Sequence, residues 1–224
     1  MNPTLRHAAA HCFVESLDAP VLAADDEHHL ARVLRITAND AITVSNGAGA
    51  WAPARFTAVG GVVLQGDVVH EPPLADTTIA CAIPKGDRPE WIVQKLTEIG
   101  VARIVLFTAA RSVVRWDAER TRKNVERLQR VAREASMQSR RVYLPVVEVL
   151  AWSDVARLEG LAIAEPGATG RIDTTVRVVA VGPEGGFDPS ELAAGIPTVT
   201  LSEQVLRVET AALAGGLELL LARR

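Results

Sequence analysis

Val176-Arg177-Val178-Val179-Ala180-Val181-Gly182-Pro183-Glu184-Gly185-Gly186-Phe187 is an apolar run that breaks into a glycine-rich loop. About ten residues later the pattern returns: Thr198-Val199-Thr200-Leu201 runs into Ser202-Glu203-Gln204-Val205-Leu206-Arg207-Val208-Glu209-Thr210-Ala211. Each apolar run reads as a buried strand, and each loop leads into a helical pattern. Such loops place exposed backbone at the carboxyl ends of neighbouring strands, where open α/β sheets bind ligands. The pair reads as a ligand site.

Outward from these loops, Thr77 to Ile83, Arg103 to Phe107 and Leu161 to Ala164 are further short apolar runs, with helical periodicity between several of them. That alternation predicts a mostly parallel sheet covered by helices, an α/β fold. The first crossover is marked by Asp87 as a cap, Pro89 in the first turn, Ile92, Leu96 and Ile99 at helical spacing, and Gly100 as the stop.

The first 70 residues differ. Glu27 to Ile36 has a one-helix pattern in Leu30, Val33 and Leu34, with Arg32 and Arg35 on the polar side. Ile42 to Val44, Ala54 to Val59 and Val62 to Val69 follow as closely spaced β-type runs around Gly47, Gly49 and a Gly60-Gly61 turn. These predict a small barrel. Glu71-Pro72-Pro73 breaks regular structure and makes a linker, so two domains are expected, 1–72 and 73–224.

A chain of 224 residues with 48% apolar content can bury a sizeable core. Its net charge of −3 hides an asymmetry. Residues 1–72 hold 4 Lys and Arg against 8 Asp and Glu, and residues 142–224 hold 6 against 11, whereas residues 85–141 hold 14 against 7. The basic middle suits a polyanion, although a solvated helix face has the same look. On a helix from about Asp117 to Gln138, Val125, Leu128, Val131, Ala132 and Ala135 share an apolar arc, and Arg120, Lys123, Arg127 and Arg130 cluster on another. Two cysteines, Cys12 and Cys81, exclude a disulfide framework and fit a reducing compartment. With neither a signal peptide nor an apolar span of membrane length in the sequence, a cytoplasmic protein without membrane contact is expected.

The glycines of the first loop invite a phosphate-binding reading. The Lys-Ser/Thr ending of a P-loop is missing, however, and Glu184 would set a carboxylate beside the phosphates. The Gly-x-Gly-x-x-Gly dinucleotide fingerprint is missing too. What remains is exposed backbone, small walls and a carboxylate, suited to a neutral base or a cationic ligand. Arg207 and Glu209 are polar residues in an otherwise apolar stretch. Glu209 would offset a helix dipole, and Arg207 would pair with Glu209 or Glu184, if their roles are structural. The His28-His29 pair has no further ligand cluster, so no metal is expected.

At these residues the chain resembles the ribosomal RNA small-subunit methyltransferase E family, in the SPOUT class of S-adenosylmethionine enzymes. The resemblance rests on Gly182-Pro183-Glu184-Gly185-Gly186-Phe187 and Val205-Leu206-Arg207-Val208-Glu209-Thr210-Ala211-Ala212. Upstream, it continues in His28-His29-Leu30-Ala31-Arg32-Val33-Leu34-Arg35 and Lys85-Gly86-Asp87-Arg88 with Glu90-Trp91. Lys95 with Thr97-Glu98-Ile99-Gly100-Val101, and Glu134-Ala135 with Gln138-Ser139-Arg140, complete the set.

The resemblance implies a PUA-like RNA-binding β-barrel followed by a SPOUT domain whose C-terminal segment forms a trefoil knot. It also implies a homodimer that uses S-adenosyl-L-methionine to methylate N3 of a decoding-region uridine of 16S rRNA, uracil 1498 in the usual rRNA numbering, within the assembled small subunit. By position, Ala164, Ala180, Gly182, Pro183, Glu184, Gly186, Leu201, Ser202, Val205 and Leu206 would contact the cofactor. Arg207 and Glu209 would be catalytic, and Arg32, Arg35, Lys85, Arg88, Arg140 and Arg141 would hold RNA. The chain departs from the family at Ser202, where Gly is common, and at Glu203-Gln204, where Pro-Arg is common. Competing expectations are another SPOUT enzyme acting on ribose 2′-O, and a noncatalytic RNA-binding assembly protein.

Overall fold

A computed structural model describes residues 2–37, 40–57, 61–192 and 195–224, the side chains of His29 and Val33 excepted. It divides into two compact units, Met1–Leu74 with Arg133–Leu144, and Ala75–Ala132 with Pro145–Arg224. The first boundary falls two residues past the expected 72/73, and the segment 133–144 clusters with the N-terminal unit.

In the first unit, α1 (Pro3–His7) precedes β1 (Ala10–Phe13), α2 (Ala24–His28), β2 (Ala41–Ser45), β3 (Ala50–Phe56), β4 (Val62–Leu64) and β5 (Val69–His70). The sheet order is β1-β2-β3-β4, with β5 also on β3; β1 runs parallel to β2 and the other pairs are antiparallel. The single helix expected over Glu27 to Ile36 is instead α2 followed by a π-helical turn, His29–Val33. Its start moves upstream because Asp26, buried, is clasped by Arg133, whose Nη1 donates to Oδ1 at 2.8 Å. The run expected as one strand over Val62 to Val69 is two short strands, both paired to β3. Ala58, Val59 and Gly60 lie outside the described residues.

The second unit contains β6 (Thr78–Ala82), α3 (Arg88–Ile99), β7 (Arg103–Thr108), α4 (Ala118–Gln138, whose last turns belong to the first unit), β8 (Val146–Ala151), α5 (Trp152–Val155), β9 (Leu161–Ala164), β10 (Val178–Val181), α6 (Pro189–Leu192), β11 (Thr198–Val199) and α7 (Val208–Leu221). Its six strands are all parallel, in the order β11-β9-β10-β6-β7-β8. The inner strands are buried on both faces, which is why they read as unbroken apolar runs. β8 escaped the sequence reading because it is an edge: Val146 is 54% exposed and Glu148 pairs with Arg103 at 2.6 Å. Asp87 stands at the N-cap of α3 without a capping side-chain bond, while Gly100 ends the helix at φ 104°.

Candidate active site

β9, β10 and β11 are neighbours, so the segments leaving their carboxyl ends converge. Ala164–Pro166, Gly182–Phe187, Thr200–Ser202 and Gln204–Val208 line a pocket of about 680 Å³. The glycine loop is fixed by its last residue. Phe187 is 4% exposed, and its ring lies 6.2 Å from that of Phe107 and 5.0 Å from that of Trp152, centroid to centroid. The chain folds back over that ring so closely that a Cβ on Gly182 would sit 2.9 Å from it. Gly186, at φ 71°, closes the turn by donating its amide to the Pro183 carbonyl at 2.8 Å.

A third wall comes from the segment after β7, which the sequence reading missed. Arg111 and Val113 line the pocket. Buried Glu191 ties that segment to the glycine loop: its Oε1 accepts from the Ala110 amide at 2.9 Å and its Oε2 from the Asp188 amide at 2.8 Å. Arg111 Nη1 also donates to the Gly185 carbonyl at 3.3 Å. The only sequence trace of this wall was a basic residue after an apolar strand.

The loop after β11 is positioned by a close crossing. The Thr200 amide donates to the Gly170 carbonyl at 3.0 Å, and Gly170 pairs in parallel with Val199. A Cβ on Gly170 would stand 2.3 Å from the Thr198 carbonyl oxygen, so only glycine fits. At the departure from the family pattern, the Ser202 hydroxyl accepts from the Gln204 amide at 3.0 Å and the Ser202 carbonyl accepts from Thr200 Oγ1 at 3.0 Å. Side-chain bonds thus hold the turn.

Of the residues assigned to the cofactor, Ala164, Gly182, Pro183, Glu184, Gly186, Leu201, Ser202, Val205 and Leu206 line the pocket. Ala180 does not; it is fully buried inside β10, and Val181 after it supplies the wall. Arg207 lines the pocket from the N-cap position of α7. It is exposed, and among the described residues it has no ion-pair partner. The partner expected for it is taken by Arg88, whose Nη1 lies 3.1 Å from Glu184 Oε1 and whose Nε lies 3.8 Å from Glu209 Oε1. Glu209 sits in the first turn of α7 outside the pocket lining, its Oε2 buried without a hydrogen-bond partner among the described residues. Burial, then the charges of Glu209 and Glu184, push the nearby Cys81 thiol up, so it stays protonated.

Lys85 also lines the pocket, exposed. The remaining cations assigned to RNA lie in the first unit. Arg32 and Arg35 are exposed. Arg140, at φ 59°, donates to the carbonyls of Ala8 at 2.9 Å and Met137 at 3.2 Å, and burial lowers the Arg141 guanidinium to about 10. Both are built into that unit's structure.

An RNA methyltransferase domain model matches residues 70–216, and an RNA methyltransferase PUA domain model matches residues 22–61. Fold and site therefore define an RNA methyltransferase with a PUA-type module. The Ribosomal RNA small subunit methyltransferase E of Mycobacterium bovis is 33% identical over 215 residues, covering 86% of this chain and 82% of that protein. Its namesake from Bacillus subtilis is 30% identical over 221 residues, covering 86% of each. The chain belongs to the ribosomal RNA small subunit methyltransferase E family. The crystal structure of the Neisseria gonorrhoeae family member, bound to S-adenosyl methionine, has a TM-score of 0.75 at 28% identity and covers 94% of this chain and 96% of its own.

Proposed function

We propose that this protein methylates N3 of a uridine in the decoding region of 16S rRNA, uracil 1498 in the usual numbering, using S-adenosylmethionine. The observation that carries the reading is the pocket at three adjacent strand ends, in a chain of this family. Its residues suit the cofactor. Ala164, Val181, Leu201, Leu206 and Ala211 give apolar walls, the glycine loop leaves backbone groups open, and Glu165 offers a carboxylate to a cationic ligand. When bound, S-adenosylmethionine supplies an electrophilic methyl group on a sulfonium.

The protein's own task is then to position a uracil and stabilise it as N3 loses its proton. Arg207, exposed on the pocket wall with no acidic partner among the described residues, serves as the electrostatic clamp on the uracil oxygens. Glu209 acts through Arg88, which it and Glu184 hold at the pocket edge. Lys85, Arg32 and Arg35 remain as phosphate contacts, so RNA affinity falls steeply with salt.

The finer architecture follows the same reading. The Gly170 crossing, together with Arg223 of the C-terminal turn donating to the carbonyls of Thr174 at 2.9 Å and Val176 at 2.6 Å, supports a C-terminal trefoil knot. The five-stranded sheet supports a PUA-like barrel. Trp91, Leu217 and Leu221, apolar and 40%, 45% and 59% exposed on α3 and α7, support a homodimer. Among the described residues no helix is long and apolar enough to cross a membrane, and we place the protein in the cytoplasm on assembled small subunits.

Mass-spectrometric mapping of rRNA from cells with and without the protein tests the assignment: N3-methyluridine disappears without it, and an unchanged signal rejects it. Arg207→Ala lowers kcat by roughly 10²–10³-fold with cofactor affinity retained. Near-full turnover would remove Arg207 from the mechanism.

A further inference from the structure

A second, smaller cavity of about 360 Å³ lies in the same unit, between the segment after β6 and the N-terminal half of α4. Pro84, Val114 and Trp116 give it apolar surface, and Lys85, Arg120 and Asn124 give it polar groups. Lys85 lines both this cavity and the large pocket, so the two adjoin at that side chain. No step of the proposed methyl transfer uses Trp116, Arg120 or Asn124.

The charges here are sorted. Arg127, also at the cavity, is engaged by Glu90 at 2.7 Å and donates to Asn124 Oδ1 at 3.3 Å, so it braces the wall. That bond occupies the carboxamide oxygen and leaves the Asn124 amide group as a donor. Asp117 is spent on the Arg120 backbone amide, at 2.8 Å. Among the described residues, Lys85 and Arg120 have no ion-pair partner, and both are exposed. Trp116 is half-buried, with Val114 beside it packed on the core, so the indole is held rigidly at the cavity wall. Two uncompensated cations, a fixed aromatic ring and an amide donor form the set that takes a nucleotide: phosphate on the cations, base on the ring, base edge on the amide.

We infer that this cavity is a subsite for the RNA nucleotide adjoining the target uridine, with the connecting phosphate on Lys85 and Arg120 and its base against Trp116. This rests on reading the large pocket as the methyl-transfer site. A target base drawn into that pocket must leave its stack, and holding the neighbouring nucleotide in the adjoining cavity fixes which base is drawn in.

Methyl transfer to small ribosomal subunits lacking this methyl group, with steady-state constants for the subunit and cofactor affinity by calorimetry, tests it. Trp116→Leu, which keeps an apolar contact with the core and is assayed well below its own unfolding midpoint, and Arg120→Ala, on an exposed side chain, each raise KM for the subunit about tenfold, with cofactor affinity unchanged. Lys123→Ala is the control: Lys123 lies on the same helix, pairs with Glu119 at 2.7 Å and does not line the cavity. It should change KM less than about threefold. Unchanged KM in the first two variants, or an equal rise in the control, overturns the subsite while leaving the methyltransferase reading intact. A wild-type protein that transfers no methyl to those subunits overturns both.

Discussion

A double-mutant cycle between Gly182 and Phe187 tests the wall behind the glycine loop. In Gly182→Ala the new methyl would stand 2.9 Å from Cδ2 and Cε2 of Phe187. The ring cannot retreat, because Phe107 and Trp152 lie behind it. Overpacking of this kind costs about 1–3 kcal/mol. Phe187→Ala alone empties a buried site and costs about 3–5 kcal/mol. With both changes the methyl enters vacated space, and since Gly182 is outside the left-handed region, Ala there is tolerated and stiffens the unfolded chain by about 0.4–1 kcal/mol. The two costs therefore do not add, and the double variant is more stable than their sum by at least about 1 kcal/mol. Urea unfolding of the four proteins measures the coupling, and calorimetry with S-adenosylmethionine measures the loop. Both single variants weaken cofactor binding. Stabilities that add within about 0.5 kcal/mol would refute the contact between ring and loop.

Two further outcomes are expected. His11 is 1% exposed, and burial followed by the Arg140 charge lowers its pKa from 6.5 to about 4. Between those values the unfolded chain takes up the proton and the folded one does not. Stability is then complete above about pH 6.5 and falls by about 3 kcal/mol as pH drops through 4. Denaturant unfolding at pH 7, 5.5 and 4 should give a slope that His11→Asn removes; identical slopes would reject the assignment. Gly170→Ala drives a methyl to 2.3 Å from a backbone oxygen, which cannot yield as a side chain does, and costs about 3 kcal/mol or more. Hydrogen exchange should report lost protection at the Thr200 amide with β6 and β7 unaffected; full protection at Thr200 would mean the crossing is looser than described.

The site was legible unevenly, for reasons the residues make plain. Arg207, Leu201 and the glycine loop could be placed because strand-end loops in a parallel sheet must open at one edge. Ala180 and Val181 could not be separated, since a strand buried on both faces shows no alternation to tell which side chain meets a ligand. Arg88 was assigned to RNA by its place in the family motif; its pairing with Glu184, 96 residues away in sequence, could not be read there. Arg140 and Arg141 were assigned to RNA by their place in the family resemblance; nothing in the sequence signalled that Arg140, with a left-handed backbone, would also donate to the carbonyls of Ala8 and Ala9, between the first helix and the first strand.

By itself the sequence determined the α/β class of the second unit, most of its strands, the glycine loop and the family, because each is written in local periodicity, turn chemistry or contiguous motif. Strand order, the wall contributed by Arg111 and Val113, the Arg88 pairing with two carboxylates, and the neighbouring cavity at Trp116 were decided only by tertiary structure. Each depends on which distant segments meet, and that is set by the packing of whole strands and helices.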